Sequence, residues 1–255
     1  MVVTFLLAVA LAQGSVASSD LKWSWDGRSP ICVLRQTVPS TGETLGVRRT
    51  PGNDETVLQL ESPRSRRLAE GRFPDATITL NSGTSVVGAV LTGRRPSGAG
   101  QIYVVTPDPR FFASFEKSSE VAFSHPKLGS ITVPIRNAAI AAKALRGCEE
   151  RRAREWGVNP AEMAAISRPI PIRDPREYFT SNDYPLDAAS QGVRTDVIAR
   201  LEVGPDGTVR QCGVVNKIPY ESFGKTTCRV LKRAAFQPAM PGVIYYDVKF
   251  DLEGW

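Results

Sequence analysis

The residue types that most often carry catalysis are scarce in this sequence. Histidine occurs once among the 255 residues, so one chain cannot build a two-histidine metal site, and a serine or cysteine nucleophile could pair only with His125. Glu61, Asp75 and Asp108 could supply an acid and a base, but nothing in their placement brings two carboxylates together. We therefore expect a protein that is not an enzyme, with no metal site and no cofactor.

Four cysteines are the second group with possible chemistry. None forms a CxxC pair, and their spacing suits neither a zinc knuckle nor a redox motif, so two disulfides are expected. Of the three possible pairings we favour Cys32 with Cys148 and Cys212 with Cys228, because each bridge then stays inside one proposed domain. Four reduced, buried thiols are the alternative.

Clusters of arginine are the third group. The formal net charge is +6, and guanidinium groups at Arg64 to Arg67, Arg94-Arg95 and Arg151 to Arg154 could bind phosphate on lipopolysaccharide or nucleic acid. Solvated loops and a solvated helix face explain these clusters better, and the neighbouring Glu149 and Glu150 dilute the last one. We expect no nucleic-acid partner.

The N-terminal residues 1–17 predict a signal peptide. The apolar run from Met1 to Ala12 is shorter than the roughly 20 residues that a membrane-spanning helix needs. Small residues follow it in a pattern that fits a secretory cleavage site. No lysine or arginine precedes the run, and a buried N-terminal strand or helix is the alternative. We expect export to the periplasm or beyond, with no transmembrane span in the mature chain.

The length predicts two domains, at roughly 150 residues per domain. From Trp23 to about Arg136 the apolar residues alternate with period two between turn residues, which predicts a β-sandwich or barrel-like domain. Asn137 is expected to cap a helix to Trp156 that closes this domain. Strands are expected at 31–38, 56–60, 76–80, 85–91, 101–105, 120–123 and 130–135, and the helix face at Ile140, Ala144, Leu145 and Cys148.

The boundary between the domains is expected at residues 158–182. This segment contains four prolines, too many for a continuous helix, and is typical of a semi-extended connector. The β-rich domain with its closing helix then covers residues 20–157, and a second domain covers residues 183–255.

The second domain shows the order strand, strand, helix, strand. A strand over 193–203 is followed by the turn Gly204-Pro205-Asp206-Gly207, a strand over 208–216, a short amphipathic helix within 220–236 and a strand over 243–252. In the last strand Ile244, Tyr246, Val248 and Phe250 alternate with Tyr245, Asp247, Lys249 and Asp251. The fold class is therefore α+β, with a three-stranded antiparallel sheet in a ββαβ domain.

These residues resemble a known family. The sequence contains, in order, Asp183-Tyr184-Pro185, Gly192, the alternating strand, the 204–207 turn, Cys212, the short helix and Ala235-Phe236-Gln237-Pro238-Ala239. This order is similar to that of the C-terminal domain of TonB, the energy-transducing protein of Gram-negative envelopes. The resemblance covers roughly residues 170–255. Separately, residues 119–148 weakly resemble small exported envelope proteins of the invasion-associated locus B type.

The resemblance to TonB implies a periplasmic binding module related to TonB-dependent transmembrane transport. Its last strand would pair with a short peptide from an outer-membrane receptor or another envelope protein, since an exposed sheet edge offers unpaired backbone groups. The matching partner-binding residues are Tyr184, Pro185, Ile244, Tyr246 and Val248. For Tyr184, a ring packed on the sheet with Pro185 ending a turn is the alternative.

The chain departs from a full transducer because it shows neither an N-terminal transmembrane helix nor a long proline-rich spacer, which leaves force transmission in doubt. A secreted β-rich structural or inhibitor-like binding protein without a transport role is the alternative function. A hydrolase acting on envelope material is a third hypothesis and predicts a loss of activity on substitution of His125 or of an acidic pair. A homodimer formed by strand exchange is also possible.

Overall fold

The computed structural model describes residues 22–27, 29–63, 71–94, 100–106, 109–126 and 129–251. The predicted signal peptide, residues 1–17, lies outside the described residues. The chain has the expected α+β composition, with a β-rich N-terminal part and a smaller sheet at the C-terminal end. No helix in the described ranges combines the length and the apolar character needed to cross a bilayer.

The N-terminal domain is built on one antiparallel sheet of nine strands, in the order β1-β2-β3-β4-β7-β6-β5-β8-β9. Neighbouring strands are mostly consecutive in sequence, as expected for hairpins joined by the predicted turns. The strands are β1 (Trp23–Trp25), β2 (Cys32–Thr37), β3 (Thr44–Arg49), β4 (Thr56–Ser62), β5 (Gly71–Leu80), β6 (Ser85–Arg94), β7 (Gly100–Thr106), β8 (Glu120–His125) and β9 (Gly129–Pro134).

The two ends of this sheet meet at a buried glutamine. Gln36 in β2 donates from Nε2 to the carbonyl of Pro134, 2.7 Å away, and accepts from the Arg136 N–H at 2.9 Å. The Trp23 indole N–H donates to the carbonyl of Arg136. Because these bonds satisfy backbone groups at the end of the last strand and just after it, side chains close the curved sheet where a ninth strand pair would otherwise be needed, which gives the expected barrel-like form.

Two helices close the core of this domain, α1 (Pro109–Phe115) and α2 (Ala138–Glu155). The predicted bridge between Cys32 and Cys148 is confirmed and joins β2 to α2, with the two Cα atoms 5.9 Å apart. Asn137 precedes α2 as expected, but it has a left-handed backbone and no side-chain cap hydrogen bond. Ile140 was expected on the buried face and is 67% exposed, because the buried stripe runs through Ala138, Ala141, Ala142, Leu145 and Cys148.

The segment predicted as a semi-extended connector contains ordered structure of its own. It holds α3 (Pro160–Ala165) and a short 3-10 turn over Pro175–Tyr178. Between them the backbone pairs with the end of the C-terminal domain, since Ile172 N–H donates to the carbonyl of Ala235 and Gln237 N–H to that of Ile170. The segment is therefore packed along the second domain.

The C-terminal domain has the predicted order of elements. A short helix α4 (Leu186–Ala189) precedes β10 (Thr195–Val203), β11 (Val209–Val214), α5 (Glu221–Leu231) and β12 (Gly242–Phe250). The sheet is antiparallel with the order β11-β10-β12, which places the last strand at an edge. The predicted Cys212 to Cys228 bridge is confirmed and ties β11 to α5.

The core of this domain lies between α5 and one face of the sheet. Alternate residues of β10 and β12 share this face, as the sequence pattern predicts, and they pack against Phe223, Val230 and Leu231 of α5. Gly207 has φ +77° in the turn before β11, and a Cβ there would overlap the carbonyl oxygen of Phe236. Glycine is thus required at this point of the turn.

Candidate functional site

The outer edge of β12 is the feature of the C-terminal sheet on which strand pairing depends. Residues of an antiparallel strand direct their backbone groups alternately to the two sides. Val243 N–H donates to the carbonyl of Ser167, and the Tyr245 carbonyl accepts from the side chain of Asn53, so both point away from β10. The same alternation directs the backbone groups of Asp247 and Lys249 outward.

Three residues predicted to bind a partner occupy the alternate positions of β12, whose side chains face α5. Ile244, Tyr246 and Val248 are at most 4% exposed and belong to the core beneath α5. Their backbone groups face β10, opposite Leu201, Ala199 and Val197. The structure thus gives these three side chains a packing role, and their part in binding stays a prediction.

Tyr184 and Pro185 lie at the end of the domain where β12 finishes. The Tyr184 ring makes edge contacts with Phe223 and Phe250, with ring centroids 5.8 Å apart in both pairs. Its hydroxyl donates to the carbonyl of Val193, and burial raises its pKa. Pro185 is buried before α4. This is the packing arrangement that the sequence left open as the alternative for Tyr184.

The first half of the β12 edge is covered by the rest of the chain. Asn53 lies in the loop between β3 and β4, residues 50–55, which we call the covering loop. Its Nδ2 donates to the Tyr245 carbonyl over 2.9 Å. Gly52, with φ +75°, lies so close to the Tyr245 ring that a Cβ would overlap it. At the start of β12, a Cβ on Gly242 would overlap the carbonyl oxygen of Ser167.

A buried charge network continues this contact to Asp247. The Asp247 carboxylate accepts from Arg48 Nη2 at 3.1 Å and from Thr50 Oγ1 at 2.9 Å. It also lies 3.9 Å from Arg176 of the connector, which is bound to Glu55 and Asp174 at 2.8 and 2.9 Å. One carboxylate of β12 is therefore held by arginines from two other parts of the chain.

The pKa values of two carboxyl groups in the network, Asp247 and Glu55, are shifted in opposite directions from their ordinary values. Burial acts to raise the pKa of Asp247, but the charges of Arg48 and Arg176 and the hydrogen bond from Thr50 together outweigh burial, so this pKa lies below its ordinary value. At Glu55 burial dominates over the attraction of Arg176, and the pKa is raised. Asp247 is thus the ionised centre of the contact.

The sheet face opposite α5 is also covered. Ile198 of β10 and Tyr245 of β12 are at most 1% exposed and pack with Ile31, Val33, Ala153 and Met163 of the first domain and the connector. The Trp156 ring stacks on the Tyr245 ring with centroids 5.7 Å apart. The part of this face formed by Ile198 and Tyr245 is therefore buried, whereas Gln211 of β11 and Lys249 of β12 are exposed on it.

The β12 edge is open at Lys249 within the described structure. No hydrogen bond from another described residue reaches the backbone of Lys249, and its side chain is 60% exposed. Near this end, Leu186 follows Pro185 directly and is 86% exposed, the most exposed of the large hydrophobic residues in the described ranges. Sequence reasoning missed Leu186, although an apolar residue directly after Tyr184-Pro185 was a signal that could have found it.

The residues considered for other chemistry do not assemble into a site. His125 is buried at the end of β8, and Glu61 forms an ion pair with Arg35 at 2.8 Å. Asp75 lies in β5, whereas Asp108 and the cluster at residues 64–67 lie outside the described residues. On α2, Arg152 and Arg154 pair with Glu155 and Glu150. The described ranges contain no cluster of three potential metal-ligating side chains.

Comparison with known families finds a match for the C-terminal part of the chain. Residues 180–253 match the family described as Gram-negative bacterial TonB protein C-terminal. The match begins just before Asp183-Tyr184-Pro185 and runs past the end of β12, so it includes both the covered and the open part of the strand edge. No curated protein and no solved structure matches the chain.

Proposed function

Since residues 180–253 form a TonB C-terminal domain, we propose that the protein is exported to the periplasm and binds an outer-membrane receptor, or another envelope protein, by strand addition. The observation that carries this proposal is the open backbone edge of β12 at Lys249. A guest strand would pair there and supply hydrogen bonds that the sheet lacks. The role would be one of binding in TonB-dependent transport.

The buried faces of the sheet support an edge-based mode of binding. α5 covers one face, and the first domain and the connector cover Ile198 and Tyr245 on the other, so the apolar parts of both faces are not available to a guest side chain. A strand that pairs with the edge needs only backbone groups and room for its alternate side chains. Leu186 offers an exposed apolar contact near the same end of the domain.

The test of this proposal separates backbone pairing from side-chain contact at Lys249. Proline at an edge position removes the outward N–H and is tolerated where that N–H makes no bond in the sheet, so Lys249→Pro should weaken peptide binding at least about tenfold. Lys249→Ala removes only the side chain and should bind as the wild type does. The measurement is a calorimetric titration with synthetic N-terminal peptides of TonB-dependent receptors.

Amide shifts of the wild type in the same titration locate the contact. Strand addition predicts that the resonance of the Lys249 amide shifts most. If Lys249→Ala weakens binding as much as Lys249→Pro, the contact is made by the side chain and strand pairing is excluded. If none of the peptides binds the wild type, the proposed function is wrong.

Leu186 provides a second prediction at the same end of the domain. Leu186→Asp should weaken peptide binding about tenfold, because burying most of a leucine side chain contributes roughly 1.5–3 kcal/mol. It should leave the unfolding free energy nearly unchanged, since the side chain is 86% exposed. Ile140→Asp is the matched control, because Ile140 is 67% exposed on α2 of the other domain. Equal effects of the two substitutions on binding would contradict a role for Leu186.

A further inference from the structure

The covered half of the β12 edge is bound in the way that a guest strand would bind it. Ser167 supplies a carbonyl to the Val243 N–H, and Asn53 supplies an N–H to the Tyr245 carbonyl. These are the two kinds of bond that a paired strand makes with an edge. They come here from two separate segments, the connector and the covering loop, neither of which is a strand at that point.

The next position that faces outward is Asp247, and its side chain is held by an ion pair with Arg48 of the first domain. The backbone groups of Asp247 point outward, and its carboxylate belongs to the contact with the first domain. The carboxylate is fixed in place by Arg48 and Thr50 of the first domain. A guest strand that extended beyond Lys249 toward the start of β12 would have to displace this arrangement.

The open stretch is short as a consequence. Outward backbone groups recur every second residue, so the open part of the edge offers the position of Lys249, whereas the edge from Val243 to Lys249 has four outward positions. One position provides few hydrogen bonds to a guest strand, and the whole edge would provide several times as many.

We propose that the N-terminal domain and the connector compete within the chain for the outer edge of β12, and that the covering loop and Ser167 must withdraw before a guest strand can pair along the whole edge. The two segments are linked, because Arg168, next to Ser167, forms an ion pair with Asp54 of the covering loop. The inference rests on the proposed function and adds its regulation. In the closed form the guest binds weakly at Lys249. In the open form Val243, Tyr245 and Asp247 become available, and the guest pairs along the strand.

The experiment weakens the interdomain contact without changing β12. Arg48→Glu combined with Asn53→Ala removes the hydrogen bond to Tyr245 and places two carboxylates opposite each other at Asp247. This variant should bind synthetic N-terminal peptides of TonB-dependent receptors about tenfold more tightly than the wild type. The Val243 amide, which is bonded to Ser167, should exchange its hydrogen faster even without peptide.

Arg35→Glu is the matched control. Arg35 forms an ion pair of the same kind with Glu61, at 2.8 Å, and both partners belong to the first domain. The control should leave peptide affinity and Val243 exchange unchanged. If the double variant fails to fold, Asn53→Ala alone should shift both readouts in the same direction by a smaller factor.

The outcomes distinguish this inference from the proposed function. If the wild type binds the peptides, and the double variant exchanges the Val243 amide faster but binds no more tightly, the competition is wrong and the proposed function stands. Unchanged exchange shows that the contact does not open and also overturns the competition. If neither the wild type nor the opened variant binds the peptides, the function and the competition are both wrong.

Discussion

Replacement of Arg176 by methionine should destabilise the protein by about 3–5 kcal/mol at neutral pH, because it leaves partners of a buried ion network without their cation. Glu55 and Asp174 contact Arg176 directly, and Asp247 lies 3.9 Å from it. The side chain of Arg176 is 21% exposed, so water screens this charge only partly. Urea unfolding of the two proteins measures the difference.

Arg173→Met is the matched control for this prediction. Arg173 lies three residues earlier, its side chain is 51% exposed, and it is 3.8 Å from its partner Glu177. Exposed pairs of this kind contribute roughly 0–1 kcal/mol, so the control should unfold almost as the wild type does. A loss for Arg176→Met that is no larger than the loss for Arg173→Met would show that the network does not hold the domains together.

The loss of unfolding free energy caused by Arg176→Met should also become smaller as the pH falls. In the wild type the pKa of Asp247 is lowered, so its contribution is present above about pH 3.9, the ordinary value, and is lost as the pH falls through the lower folded-state pKa. The variant lacks the cation, and burial already raises the pKa of Glu55. Its carboxylates therefore take up protons more readily in the folded state, which stabilises the variant as the pH falls.

Removal of the Cys32 to Cys148 bridge should cost on the order of 4–5 kcal/mol, and removal of the Cys212 to Cys228 bridge about 3 kcal/mol. In the loop-entropy account the cost grows with the length of chain that the bridge closes, and the sequence separations are 116 and 16 residues. The double variants Cys32→Ala/Cys148→Ala and Cys212→Ala/Cys228→Ala, compared by urea unfolding, measure both costs. A larger loss for the shorter bridge would contradict the ordering.

The ββαβ domain could be predicted because each of its signals is local. The alternation from Val197 to Val203 and from Ile244 to Phe250 defines the buried side of two strands, and the turn over Gly204–Gly207 joins neighbours in the sheet. The pairing of the cysteines followed from assigning each bridge to one domain. Within the first domain, strands over Trp23–Trp25 and Thr44–Arg49 and the helix Pro109–Phe115 were not predicted.

The contact between the domains could not be predicted. Alternation assigns Tyr245 and Asp247 to the face away from α5, and it carries no information on what covers that face. Asn53 and Tyr245 are separated by 192 residues, and no local pattern relates them. The covering loop joins β3 to β4, and its place against β12 follows from how the two domains pack.

The long disulfide has a consequence for a protein that meets proteases. Cys32 and Cys148 enclose most of the nine-stranded sheet in a covalent ring. A single cut in any connection inside that ring opens the polypeptide but releases no fragment, because both pieces stay tied through the two sulfur atoms. Nicked molecules would therefore keep their full mass until a reductant reaches the bond.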